Sequence, residues 1–359
     1  MDKTIVILAG DGIGNEVMQE SLRVLDAIQE KFNHHFIYKE ALIGGAAYDQ
    51  YKSHCPSETI TVCEQADAIL FGSVGGPINA QHLDKWKNCE VNSILKLRKH
   101  FDLTINIRPV QVHPLLAALC PLKPEIIGEG IDIVIFRELT GGIYFGHHEQ
   151  RLENNLRIAQ DECVYAENQI IPIVHSAFKA AQLRNKQLCS VDKANVLSTS
   201  KLWREIVNEI AKDYRDVKIT HMLVDNCAMQ MVINPRQFDV IVTENMFGDI
   251  ISDLAAALPG SLGLIPSASL NAQNKGLYEP SGGSAPDIAG LGIANPCAQI
   301  LSIALMLRYS FGLNQEAVLI ENAVKNTLAQ GIMTIDLSRD KNNIISTANF
   351  VDAVIEHII

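Results

Sequence analysis

The chain has 359 residues, 47% of them hydrophobic and 20% charged, and a formal net charge of −11. That is ordinary globular composition, long enough for a large core in two domains. So acidic a surface argues against general nucleic-acid binding, which needs basic patches. The opening MDKTIVILAGDGIG lacks the apolar stretch and small-residue cleavage site of a secretory signal. No apolar run approaches the ~20 residues that span a bilayer. Eight scattered cysteines without a C-x-x-C pair read as reduced, mostly buried thiols, and the expected compartment is the cytoplasm.

A first strand over 4–9 runs into the glycine-rich turn AGDGIGNEV (9–17) and a helix over 15–32. Such a turn can bring backbone N–H groups to a ligand or simply be tight. It is not the dinucleotide fingerprint, because the third glycine position is Asn15. After a strand over 68–73, a helix over 91–100 places Glu90, Ile94 and Arg98 four residues apart on one face. Arg108 emerges at the end of a strand over 103–109, and Arg137 ends another over 133–137. Arginine forks hold carboxylates bidentately, although a solvated helix charge and a surface pair are the plainer alternatives for Arg98 and Arg108. The motif FRELTGGIYFG then turns on two glycines to present Tyr144, an acid if a cation lowers its pKa or else a core tyrosine. The polar stretch of about 144–173 reads as an excursion from the main body.

Further on, helices over 169–184 and 200–213 alternate with strands over 187–192, 219–225 and 240–243. Lys193 follows the first of these strands, and a lysine near other cations can serve as a base. Asp225 ends the second. Asp249 and Asp253 lie four apart in a helix over 247–257, so both carboxylates share one face. Three acids with little basic compensation nearby would repel each other if buried, and Mg²⁺ or Mn²⁺ relieves that repulsion. Taken singly they could be a helix cap and two solvated carboxylates. The Gly/Pro/Ser-rich segment YEPSGGSAPDIAGLGIANP (278–296) suits a loop wrapping a cofactor, with Asp287 placed to accept from a ribose diol and to repel an added 2′-phosphate. Helices over 294–310, 314–330 and 346–357 close the chain. The alternation of strands and helices reads as α/β with a largely parallel core sheet.

Together these segments resemble the β-decarboxylating dehydrogenases, the family of isopropylmalate, isocitrate, homoisocitrate and tartrate dehydrogenases. NMFGDIISD, then GSLGLIPSAS, then GGSAPDIAGLGIANP carry the resemblance in the family's order over nearly the whole chain. It implies an α/β fold of two domains sharing a sheet, unlike the usual dinucleotide-binding fold. Residues 1–101 and 258–359 would form the first domain, with the main NAD site. Residues 102–257 would form the second, with the dimer interface, the metal ligands and an arm of about 144–173 that clasps the partner of a homodimer.

Carried over residue by residue, the resemblance makes Arg98, Arg108 and Arg137 the clamp on two substrate carboxylates. Asp225, Asp249 and Asp253 become ligands of Mg²⁺ or Mn²⁺, one of them from the partner subunit, with Asp225 also touching substrate. Lys193 and Tyr144 become the catalytic pair, and Ile13, Gly75, Gly76, Glu279, Gly283, Ser284, Ala285, Asp287 and Asn295 line the NAD site. The implied chemistry is loss of the C2 hydroxyl proton to Lys193, hydride transfer to nicotinamide, departure of CO₂, and protonation of C3 by Tyr144. Isocitrate members carry Ser and Asn six and four residues before the first arginine, where this chain has Asn92 and Ile94, with Leu95 following. With Val196, that aliphatic pair would bury an isopropyl branch, and Glu90 would repel a third carboxylate, so 3-isopropylmalate is the expected substrate. A tartrate-, isocitrate- or homoisocitrate-type enzyme and a non-catalytic regulatory homologue are the alternatives. The family's usual Pro-Glu-x-Gly reads Cys89-Glu90-Val91-Asn92 here, and Gly282 stands where some relatives have histidine.

Overall fold

The structure is a computed structural model that describes residues 1–338 and 344–359. The chain divides into two compact units, Met1–Phe101 with Gly260–Ile359, and Asp102–Pro259. The first unit opens with β1 (Asp2–Gly10), α1 (Gly14–Phe32), β2 (His35–Glu40), α2 (Gly44–Tyr51), α3 (Ser57–Glu64), β3 (Ala68–Ser73) and α4 (Lys96–His100). The second unit holds β4 (Ile105–Val112), α5 (Pro124–Ile127), β5 (Ile131–Glu138), β6 (His148–Glu153), β7 (Leu156–Asp161), α6 (Glu167–Gln182) and β8 (Gln187–Asp192). It continues with α7 (Ser198–Ile210), β9 (Lys218–Leu223), α8 (Val224–Ile233), β10 (Val240–Thr243) and α9 (Asn245–Ala256). The chain then returns to the first unit as β11 (Pro266–Leu270), β12 (Gly276–Pro280), α10 (Cys297–Tyr309), α11 (Asn314–Ala329) and α12 (Thr347–Glu356).

In the first unit the strand order is β2-β1-β3-β12-β11, parallel except for the β11/β12 pair. Every residue of β3 is buried, as a strand covered on both faces requires. Helix α1 buries Val17, Met18, Ser21, Val24, Leu25 and Ile28, one helical stripe. Helix α10 is buried without a break from Cys297 to Ile300 and again from Ser302 to Leu307, which makes it the central helix of that unit. In the second unit the order is β4-β5-β10-β8-β9, with only β4/β5 antiparallel. The fold is mixed α/β, and the antiparallel pairs set it apart from the all-parallel dinucleotide-binding sheet.

Strand β2, with Phe36, Ile37 and Tyr38, lies outside the expected strands despite its strand-forming residues, whereas β11 and β12 carry little strand signal. β11 reads Pro-Ser-Ala-Ser-Leu, small and turn-forming residues with no β-branched or aromatic one, and all five are buried. The stretch after Tyr144 is more regular than its composition suggests. Strands β6 and β7 pair antiparallel around Asn154 and Asn155, both at positive φ (50° and 63°), as a two-residue hairpin turn demands. Helix α6 begins at Glu167, so the end of the expected excursion is helical. All eight cysteines are free, and all but Cys163 are buried. No described helix is long and apolar enough to cross a membrane.

Candidate active site

The second unit gathers charge on one face of its sheet. In the antiparallel β4/β5 pair Asn106 faces Arg137 and Arg108 faces Ile135. Arg108 and Arg137 therefore lie on the same face as diagonal neighbours. Parallel β10 sets Thr243 beside Arg137, and two residues later α9 begins. Along α9, Asn245, Asp249 and Asp253 recur every four residues and form one polar stripe. Gly248 lies against the stem of Arg137, where a Cβ would come within 2.5 Å of Cγ. The helix thus sits directly on the arginine.

The stripe and the two arginines pair off. Arg108 Nη1 donates to Ser252 Oγ (2.8 Å) and Asp253 Oδ1 (2.9 Å), and its Nε donates to Asn106 Oδ1 (3.0 Å). Arg137, almost fully buried, gives Nε and Nη2 to Asn245 Oδ1 (3.1 and 2.9 Å) and Nη1 to Asp249 Oδ1. Half-exposed Tyr144, at the end of the short turn Gly142–Tyr144, donates its hydroxyl to Asp249 Oδ2 (3.1 Å). Burial, then the charge of Asp249, pushes the Tyr144 phenol above its ordinary range.

A second pair sits at the ends of β8 and β9. These parallel strands register Asp192 with Leu223, so Lys193 and the head of α8 leave the sheet together. Lys193 Nζ donates to Asp225 Oδ1 (2.8 Å), and this hydrogen bond holds the Asp225 carboxyl below its usual range. Asp225 is the second residue of α8 rather than the end of a strand. Val196 is exposed on the turn after Lys193.

The first unit holds the remaining expected residues. The stretch expected as one helix over 91–100 opens as a π-type turn, Val91–Leu95, before α4. A π-turn closes on the fifth residue rather than the fourth, so this stretch is a wider turn leading into a short α-helix and not one regular α-helix. Ile94 is buried, while Glu90 and Leu95 are exposed. Arg98 Nη2 donates to Glu279 Oε1 (2.8 Å), with both side chains largely buried. The glycine-rich turn and the 278–296 loop meet: Ile13 N–H donates to Ser284 O (2.9 Å), and a Cβ on Gly12 would strike that carbonyl. Gly75 N–H donates to Asp11 Oδ2 (3.0 Å), at a φ of +114° that suits glycine, and Gly76 lies against Trp86. Gly283 and Asp287 are exposed, Ala285 has a positive φ, and Asn295 donates to Asp336 and accepts from Cys297 N–H.

A family profile described as isocitrate/isopropylmalate dehydrogenase matches residues 4–354. The chain belongs to this family. It is an oxidoreductase, and relatives match it end to end. A 3-isopropylmalate dehydrogenase from Desulfotalea psychrophila is 52% identical over 98% of this chain and 99% of its own length. One from Vibrio vulnificus strain YJ016 is 53% identical over 100% and 99%. Among solved structures, isocitrate dehydrogenase from Methylococcus capsulatus superposes with a TM-score of 0.84 at 32% identity, covering 99% of each chain.

A dehydrogenase of this family works with a nucleotide cofactor and a divalent metal. The donor set suits a hard cation, because Asp249, Asp253 and Asp225 are carboxylates with solvent access. Among the described residues, no three such ligands converge within a single chain. Asp249 and Asp253 share α9, while Asp225 stands apart with Lys193. On the nucleotide side, an added Cβ would meet nothing within 4 Å at Gly283 and only Ser284 Oγ at 3.9 Å at Gly75, so a ligand can approach the backbone there.

Several residues of this site carry no local sequence signal. Asp11 is buried and accepts from Gly45, Ala46 and Gly75 N–H; burial pushes its carboxyl up. Asp192, fully buried, accepts Arg204 on both oxygens (2.9 and 2.8 Å) and the Ala194 N–H, which fixes the turn bearing Lys193. Asn245 alone has a readable signal, one helical turn before Asp249.

Proposed function

We propose that the protein oxidatively decarboxylates (2R,3S)-3-isopropylmalate to 4-methyl-2-oxopentanoate and CO₂, with NAD and Mg²⁺ or Mn²⁺, as a step of leucine biosynthesis. One observation carries the reading. Arg108, Arg137 and Lys193 are each matched by one aspartate: Asp253, Asp249 and Asp225. A dicarboxylate dianion and a divalent cation arriving together leave that balance intact. The arginines exchange aspartates for substrate carboxylates, and the aspartates exchange arginines for the cation. The names of full-length relatives at about half identity support 3-isopropylmalate as the acid. Exposed Leu95 supports it further, since an aliphatic side chain can cover an isopropyl branch but cannot satisfy a third carboxylate.

When bound, the cation draws electrons from the C2 oxygen and the nicotinamide accepts the hydride. Arg98, Arg108 and Arg137 hold the two carboxylates of the substrate. Lys193, paired with Asp225 in the structure, would take the C2 hydroxyl proton on Nζ once Asp225 turns to the cation and the ammonium has lost a proton to solvent. Tyr144 gives a proton to C3. A tyrosine is a phenol at neutral pH, the form a proton donor needs. Asp287 favours NAD over NADP by repelling a 2′-phosphate.

The reading includes a cytoplasmic homodimer with shared sites. Helices α8 and α9 bear the three aspartates and also expose Met229, Val232, Ile233 and Ile250, while the β6/β7 hairpin exposes Leu152 and Leu156. Apolar surface of this kind beside a charged site suits a second copy of the chain. The test is NADH formation with 3-isopropylmalate and with isocitrate, with and without Mg²⁺. Metal-dependent turnover with 3-isopropylmalate at least a hundredfold above isocitrate is expected. Equal rates on the two acids, or metal-independent turnover, would overturn the reading.

A further inference from the structure

We infer that Tyr165, together with Glu138 and Asn245, forms a buried positioning relay that sets the Arg137 guanidinium for substrate binding from the root of the β6/β7 hairpin. The inference rests on the reading of Arg137 as a substrate arginine and adds three residues to it.

All three relay residues are buried, Glu138 and Asn245 almost completely. The Tyr165 hydroxyl donates to Glu138 Oε2 (3.1 Å) and accepts the Asn245 N–H (2.8 Å). Asn245 Oδ1 then accepts both Nε and Nη2 of Arg137, and its Nδ2 donates to Gly141 O (3.1 Å). Glu138 also accepts from Thr140 N, Thr140 Oγ1 and Gly141 N (2.6, 2.8 and 2.8 Å). Four donors on one buried carboxylate make it an anchor for the turn that leads to Tyr144. A buried polar group left without its partner is costly, so each member holds the next in a single geometry.

The two glycines of the ELTGG motif belong to the same device. A Cβ on Gly141 would come within 2.6 Å of Tyr165 Cε1, and one on Gly142 within 2.7 Å of its hydroxyl oxygen. Gly142 has a φ of +77° and donates its N–H to Val164 O (3.0 Å). The turn is therefore shaped around Tyr165, where the chain comes back from the hairpin. Trp203 meets the ring edge-on at 6.0 Å and fixes it from another side.

Tyr165→Phe keeps the ring and its contacts and removes only the hydroxyl. The expected result is a rise of about tenfold in KM for 3-isopropylmalate, the size of one lost hydrogen bond to a buried group, with KM for NAD changed less than twofold. Asn245→Ala should raise the same KM at least as much. Because Tyr165 acts through Asn245, the double variant should be no worse than Asn245→Ala alone. Glu138→Gln provides a second entry point if Tyr165→Phe folds poorly, with the same selective KM effect expected. Wild-type kinetics in Tyr165→Phe, a parallel rise in both KM values, or losses that multiply in the double variant would overturn the relay. If the wild type instead oxidises isocitrate or tartrate, the substrate reading fails separately, and the same KM comparison with that acid decides on the relay.

Discussion

Glu244 is a carboxylate that the fold holds at a cost. It stands just before Asn245 at the head of α9, is almost fully buried, and accepts the Ser200 hydroxyl. Burial, with Asp192 and Glu138 nearby, pushes its carboxyl from an ordinary 4.5 up to about 7. The direction fixes the sign of the pH effect. A group whose folded pKa lies above its unfolded value binds its proton more tightly in the native state. That stabilisation is complete below pH 4.5 and is lost as pH rises through about 7. At about 1.4 kcal/mol for each tenfold, the loss amounts to roughly 3 kcal/mol. Glu244→Gln keeps an acceptor oxygen for Ser200 and carries no charge. It should exceed the wild type in stability by up to about 3 kcal/mol at pH 8.5 and by under about 1 kcal/mol at pH 5. Urea unfolding at the two pH values, followed through buried Trp203, measures this. An equal gain at both pH values, or a less stable variant at pH 8.5, would refute the assignment of a buried charge to Glu244.

Three other outcomes follow from the site. Lys193→Met should lower kcat by about a thousandfold or more while NADH still binds by fluorescence titration; retained turnover removes Lys193 from proton transfer. Leu95→Ser should reduce kcat/KM for 3-isopropylmalate about tenfold and spare unbranched malate, since the loss of branch contact is worth about 1–3 kcal/mol. Equal losses on both acids would mean that Leu95 does not face the branch. If the proposed homodimer forms through α8 and α9, Ile250→Asp should sediment as a monomer and lose turnover, where the wild type sediments as a dimer; a monomeric wild type or an unchanged sedimentation coefficient would refute that interface.

The polar stripe of α9 was legible because a spacing of four residues is a local property, and Asp249 and Asp253 do stand on one face. Strands rich in branched apolar residues, such as β3 and β10, were legible for a similar reason. What escaped notice depends on pairing across long stretches of chain. Tyr165 meets Asn245 across 80 residues and Glu138 across 27, and no window of sequence shows that. The π-turn escaped because the spacing of Glu90, Ile94 and Arg98 fits a regular α-helix. β11 was missed because its buried serines look like loop residues.

Gly248 is the least conspicuous member of the stripe's helix, yet it sets the height at which α9 rides above the sheet. With no side chain there, only van der Waals contact with the stem of Arg137 separates the two layers. A single methyl group would act as a shim, lifting Asp249 and Asp253 together off their guanidinium partners, and displacements of about 1 Å can cost a hundredfold in rate. The placement of these two aspartates against their arginines is thus governed by a position that carries no side chain.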